Sequence, residues 1–151
     1  VRLAIAGDHN AVGMKQYLTH WLEDAGHQVS DLGTESAEVV DYPPLCIAVG
    51  EFVTSGRADL GVVLGGSGQG EAIVCNKLRG IRAGLCHSVF AAQISRGHND
   101  ANVLVMGSKI VSDAEAQTIL ATWLTTQFKG GRHQDRVDQI NQLDAGRASG
   151  S

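Results

Sequence analysis

Apolar residues follow two alternating rhythms along the chain. Arg2 to Ala6 is a short, almost continuous apolar run that ends in Gly7-Asp8-His9. From Ala11 to Ala25 the spacing changes, and Met14, Leu18, Trp21, Leu22 and Ala25 recur on one helical face. The pattern predicts a strand followed by a helix, which Gly26 ends. The cycle then repeats, with a strand over Gln28 to Leu32, a loop carrying Asp41-Tyr42-Pro43-Pro44, and a helix running to about Ser55. Leu60 to Leu64 is the most apolar strand and leads through a glycine loop at 65–70 into a helix ending near Leu78. Further strands are predicted at Ile81 to Cys86 and Val103 to Met106, with helices over Ser88 to Gly97 and Asp113 to Gln127. A more polar helix over Arg132 to Leu143 follows.

Strands alternating with helices imply a parallel sheet covered on both faces. The expected fold is an α/β three-layer sandwich with a five-stranded parallel sheet and an extra C-terminal helix. Right-handed crossovers leave few arrangements, of which the Rossmann-like order 2-1-3-4-5 is expected here. In that order the first and third strands are neighbours whose helices leave on opposite faces, so ligands bind at their carboxyl ends. Those ends carry Asp8-His9 and the loop Gly65-Gly66-Ser67-Gly68-Gln69-Gly70-Glu71.

With 151 residues, 43% of them hydrophobic, the chain closes one core, expected over 1–143. The segment 144–151 is small, polar and without periodicity, and is expected to be a disordered tail. No apolar run approaches the roughly 20 residues of a membrane span, and the first residues read as a strand, so a soluble cytoplasmic protein is expected. Three cysteines without metal-ligand spacing fit reduced thiols, and the six histidines form no His-Glu-x-x-His pattern, so no metal is expected. A formal charge of −4 argues against a nucleic-acid binder and makes any anion site local.

Nineteen glycines cluster after apolar runs, as in turns shaped for a ligand. The 65–70 loop opens a helix, and its free N–H groups with the positive helix end can cradle an anion. It has neither the Gly-x-Gly-x-x-Gly register of a dinucleotide site nor a Walker-type Gly-Lys-Ser/Thr. On position alone Glu71 reads as a helix-terminal charge. Beside an anion nest, however, a carboxylate supplies what is needed to remove a carbon-bound proton and hold the resulting enediolate. Asp8 and His9 read either as functional groups or as a cap for the following helix, and His98-Asn99-Asp100 as a polar turn. Arg132 and Arg136, at i and i+4, read as a solvated face or as a fork for a phosphate, and Tyr42 reads as packing.

Several of these segments together resemble the ribose-5-phosphate isomerase B family, which includes galactose- and allose-6-phosphate isomerases. The carriers are Gly7-Asp8-His9, Asp41-Tyr42-Pro43, Gly66-Ser67-Gly68-Gln69-Gly70, Asn76-Lys77 with Gly80-Ile81-Arg82-Ala83, His98 to Leu104, and Gly130-Gly131-Arg132-His133. The resemblance implies substrate contacts at Asp8, His9, Gly66, Ser67, Gly68, Gln69, Gly70, Asn99, Lys109, Arg132 and Arg136. It also implies ring opening by His98 with help from Asp8, and no cofactor. Many members of the family use a cysteine base immediately before the glycine loop, where this chain has Gly65. Another branch has Gly-Gly-Ser-Gly-x-Gly-Glu and uses the glutamate, which falls on Glu71, and Cys75 is then read as core. Lys109 stands where the family usually has arginine, and Asn10-Ala11 where Ala-Gly is common.

The implied activity is aldose–ketose isomerisation of a phosphorylated sugar through a cis-enediolate, with ribose 5-phosphate to ribulose 5-phosphate the default. Four-carbon (erythrose or erythrulose) and six-carbon sugar phosphates are the alternatives, as is a non-catalytic sugar-phosphate-binding subunit. A phosphoacceptor signalling domain is set aside because Gly65 stands where that class needs an aspartate. Topology adds one expectation. Glu71 follows a strand at the carboxyl edge of the sheet, whereas His98 precedes a strand at the amino edge. His98 and Asn99 are therefore expected to reach the site from a second subunit of a homodimer or tetramer.

Overall fold

The computed structural model describes residues 1–146. The alternating rhythm becomes β1 (Arg2–Gly7), α1 (Val12–Asp24), β2 (Gln28–Asp31), α2 (Pro43–Thr54), β3 (Leu60–Gly65) and α3 (Gln69–Asn76). It continues with β4 (Ala83–Leu85), α4 (Val89–Gly97), β5 (Val103–Gly107), α5 (Asp113–Thr125) and α6 (Arg132–Ala145). The strands form one parallel sheet, as expected, in the order β2-β1-β3-β5-β4.

The last two strands are thus exchanged relative to the expected 2-1-3-4-5 order. Burial explains the exchange. All five residues of β5 are buried, while the three residues of β4 are each half-buried. The fully apolar strand takes the place beside β3, where both faces and both edges are covered, and the short strand goes to the rim. There the side-chain amide of Asn76 stands in for a neighbouring strand. Its Nδ2 donates to the Ala83 carbonyl at 3.0 Å, and its Oδ1 accepts from the Ala83 N–H at 2.8 Å.

The exchange also decides which helix lies where. With right-handed crossovers, connections running in opposite directions across the sheet place their helices on opposite faces. The steps β1 to β2 and β4 to β5 run one way, β2 to β3 and β3 to β4 the other. Accordingly α1, α4 and α5 pack on one face around Met14, Leu18, Ala92, Leu120 and Trp123. On the other face α2 and α3 pack around Cys46, Val49 and Cys75, which makes Cys75 a core residue. A fully buried lysine, Lys15 on α1, pairs with Asp31 at the end of β2 at 2.5 Å.

α6 closes over the β4 rim, where Arg82 donates to Asn141 Oδ1 at 3.0 Å and the Gly80 N–H donates to Asp144 Oδ2 at 2.5 Å. The helix runs through Ala145, past the boundary expected at Leu143. The rest of the expected disordered tail, residues 147–151, lies outside the described residues. Among the described residues, no helix is long and apolar enough to cross a membrane.

Candidate active site

β1 and β3 lie side by side, so the turns that leave them meet at the carboxyl edge. The Asp8 N–H donates to the Leu64 carbonyl at 3.1 Å, which ties the first turn to the end of β3. Asn10 then holds both oxygens of the Asp8 carboxylate, donating to Oδ1 from its backbone N–H at 2.9 Å and to Oδ2 from its side-chain amide at 3.3 Å. His9 Nδ1 accepts from the Val40 N–H at 3.2 Å, so the loop after β2 fixes the ring.

The glycine loop enters α3 through Gly68, whose φ of 79° lies in the left-handed region. The first N–H groups of any helix lack partners within it, and here the Gln69 N–H is engaged by Ser67 Oγ at 3.2 Å. From the first turn of that helix Glu71 folds back over the end of β3. A Cβ built on Gly65 would lie 1.7 Å from Glu71 Oε2 and 2.3 Å from its Cδ. The carboxylate therefore occupies the space that a side chain at position 65 would fill. Only glycine there leaves room for it.

Glu71 is 4% exposed and Asp8 5%. Burial pushes the Glu71 carboxyl above the usual carboxylate range, and the charge of Asp8 adds to that push against a backbone hydrogen bond that lowers it. A carboxylate so placed is a stronger base than a solvated one. It borders a cleft of about 520 Å³ whose walls include Asp8, Asn10, Ser67 and Lys109. Tyr42, read from the sequence as packing, forms another wall. Its hydroxyl sits so close to Gly70 that a Cβ there would be 2.0 Å away. Nothing local in the sequence signals this approach, because it depends on how α2 docks against α3.

His98, Asn99, Arg132 and Arg136 are elsewhere. His98 is the C-cap of α4, at the amino edge of the sheet ahead of β5. Arg82 gathers this turn, donating to the carbonyls of Asn99 at 3.1 Å and Asp100 at 2.7 Å. From α4, Arg96 donates to the Ala101 carbonyl at 2.5 Å. Gly130 and Gly131, both at positive φ, turn the chain into α6 and bring the His133 ring onto His98, with centroids 4.0 Å apart and planes 17° from parallel. Desolvation, then the charges of His98, Arg132, Arg136 and Lys129, hold His133 below the ordinary histidine range. That is a cationic patch suited to a phosphate. One chain therefore carries two polar clusters at opposite edges of its sheet, Glu71 with Asp8 and the glycine loop at one, and His98 with His133, Arg132 and Arg136 at the other. Among the described residues, no group of three or more His, Cys, Asp or Glu side chains could hold a metal ion.

The sequence and the fold both match known proteins. A family model described as Ribose/Galactose Isomerase matches residues 3–140. Ribose-5-phosphate isomerase B of Escherichia coli is 40% identical over 143 residues, covering 95% of this chain and 96% of that protein. The solved structure of Clostridium thermocellum ribose-5-phosphate isomerase B superposes with a TM-score of 0.94 at 40% identity, over 96% of this chain and 98% of the other. Ribose-5-phosphate isomerase B from Mycoplasma genitalium, solved with bound ribulose-5-phosphate, gives 0.92 at 33% identity over 97% of each chain.

Proposed function

The chain belongs to the ribose/galactose isomerase family, and from that membership we propose that it interconverts ribose 5-phosphate and ribulose 5-phosphate with Glu71 as the proton-transferring base. The observation that carries this reading is the Glu71 carboxylate, buried against Gly65 and bordering the same cleft as the glycine loop. His98 and Asp8 move a proton between ring oxygen and anomeric hydroxyl, which opens the sugar. Glu71 takes the C2 proton as the electron pair shifts onto the C1 carbonyl oxygen. The N–H groups of Gly66 to Gly70, with Ser67, hold the cis-enediolate. A proton passes from O2 to O1, and the protonated Glu71 delivers its proton to C1, leaving the ketone at C2. His9, Gln69, Asn99, Lys109, Arg132 and Arg136 orient the hydroxyls and the phosphate.

The two half-sites complete one another only between chains. A second copy presents its own histidine and arginine fork to the Glu71 cleft, so the working unit is at least a homodimer. An apolar groove of about 480 Å³ supports this, since Asn99 borders it together with Phe90, Ile94 and Ile140. Phe90 is 70% exposed in the isolated chain. Its burial against a partner would remove apolar surface from water next to the half-site that must dock. We place the protein in the cytoplasm, where sugar phosphates are handled.

One observation favours a shorter substrate as a second reading. Asn10 extends an amide into the cleft where the family commonly has alanine, which shortens the space beyond Asp8. Turnover of four-, five- and six-carbon aldose and ketose phosphates by the native protein and by Glu71→Gln tests both readings. Turnover of one substrate that collapses in the variant supports the proposal and identifies the sugar. Binding without turnover of any would leave a sugar-phosphate-binding subunit in its place.

A further inference from the structure

His87 has no part in the chemistry above, yet it is joined to the site by an unusual contact. At the carboxyl end of β4 its Nε2 accepts a 2.8 Å hydrogen bond from the backbone N–H of Gly107, the last residue of β5. Gly107 is the floor under the glycine loop. A Cβ there would be 2.6 Å from the Ser67 carbonyl carbon and 2.7 Å from the Gly66 oxygen. The next two residues tie the same turn to both sides of the cleft. Ser108 and Lys109 donate their N–H groups to the Gly65 and Gly66 carbonyls at 2.7 and 2.9 Å, and Ser108 Oγ donates to the Asn10 carbonyl at 2.8 Å.

We propose that His87 is a positioning residue whose unprotonated Nε2 holds Gly107, and through it the Ser67 loop and Lys109, in the geometry that receives the substrate. An imidazolium has donors on both nitrogens, so protonation sets N–H against N–H and forces the ring off Gly107. The buried Gly107 amide is then left without an acceptor. Burial already holds the His87 ring below the ordinary histidine range, as an acceptor role requires.

The surrounding elements contribute little that titrates in the same window. α5 contributes Glu115, which shares a cleft with the ring and is held below the usual carboxyl range by its hydrogen bonds from Ser112. It stays anionic throughout. α4 contributes the uncharged Ser88 and Val89. β4 leads into the Cys86 thiol, which burial pushes up, and the turn after β5 contributes the Lys109 ammonium. His87 alone of these changes charge as pH falls through its lowered value. The sign follows from its lowered pKa. The hold on Gly107 is intact above the ordinary histidine value and is lost as pH falls through the lowered one.

The kinetic consequence rests on the proposed isomerase activity, but the structural one does not. The test is an amide NMR titration of the full chain without sugar, alongside KM and kcat against pH for the native protein, His87→Gln and His87→Leu. The Gly107, Ser67 and Lys109 amides should shift together with the His87 ring and stay flat in His87→Gln. Glutamine keeps an acceptor that does not titrate, so His87→Gln should hold KM near the alkaline value at low pH. In the native protein at low pH, and in His87→Leu, KM should rise roughly tenfold, the scale of one buried amide without a partner, with kcat changing less. Amides that stay flat while the ring titrates, or a His87→Gln as impaired as His87→Leu, would overturn the proposal. If no sugar is turned over, the titration still decides it.

Discussion

Replacing Gly65 by alanine should disable the enzyme without unfolding it. The added methyl carbon would start 1.7 Å from Glu71 Oε2, 2.3 Å from Cδ and 2.8 Å from Oε1. Ordinary contact between such atoms is about 3.5 Å, so the carboxylate must retreat by roughly 1.5–2 Å. The backbone raises no objection, because Gly65 lies within β3 and is not among the positive-φ glycines. Misplacing a reacting group by about 1 Å costs roughly a hundredfold, and losing a general base costs about 10²–10⁴-fold. We therefore expect kcat to fall about 10²–10³-fold in Gly65→Ala, with a much smaller change in KM because the anion nest is untouched. The assay is continuous detection of ketose from ribose 5-phosphate, with circular dichroism and a thermal melt to confirm folding. A thiol should fit where the carboxylate now sits. Gly65→Cys combined with Glu71→Ala should recover part of the activity, and alkylation should abolish what is recovered. Gly65→Ala activity within about threefold of native would refute the assignment of that space to the base.

Other consequences can be checked separately. Burial raises the pKa of Glu71, so the carboxyl favours its protonated form in the fold; stability from that form is present below its ordinary pKa and lost as pH rises through the raised one. Glu71→Gln should accordingly melt higher than native at neutral pH while losing turnover, and native kcat should rise with pH through the raised Glu71 value; an unchanged or lower melting temperature would contradict this. The buried Lys15–Asp31 pair predicts an asymmetry, since Asp31→Ala strands a fully buried ammonium and should cost about 3–5 kcal/mol, whereas Lys15→Met leaves a partly exposed carboxylate and should cost clearly less. Denaturant titration of both variants measures it. Asn76→Ala removes both hydrogen bonds that cap the β4 edge and should cost about 1–3 kcal/mol, read as faster hydrogen exchange at Ala83 and a lower melting temperature.

Every strand and helix was legible from the rhythm of the chain, because each needs only its own apolar face. The order of β4 and β5 was not, since periodicity records that a strand exists and says nothing of its neighbours. The clue lay in Val103-Leu104-Val105-Met106 against Ala83-Gly84-Leu85, an all-apolar run suited to the middle of a sheet beside a weak one suited to its rim. Asp8, the glycine loop and Glu71 were readable as a cluster because the topology sends the first and third strands to one edge. The packing of the Glu71 carboxylate over Gly65 was not readable from spacing, because it depends on a side chain folding backward from a helix start. Tyr42 and His87 were missed for a related reason. Each acts through one contact made across elements far apart in sequence, and a lone polar residue after a strand looks the same with or without that contact.

Mixing two inactive variants shows whether each site takes Glu71 from one chain and His98 from another. Glu71→Gln and His98→Asn, unfolded together and refolded in equal amounts, form mixed dimers in about half the assemblies, and each mixed dimer holds one site with both native residues. About a quarter of native activity should be recovered from two proteins that are separately almost inert. Activity no greater than the sum of the separate residuals, with mixed dimers demonstrated by mass spectrometry, would contradict that arrangement.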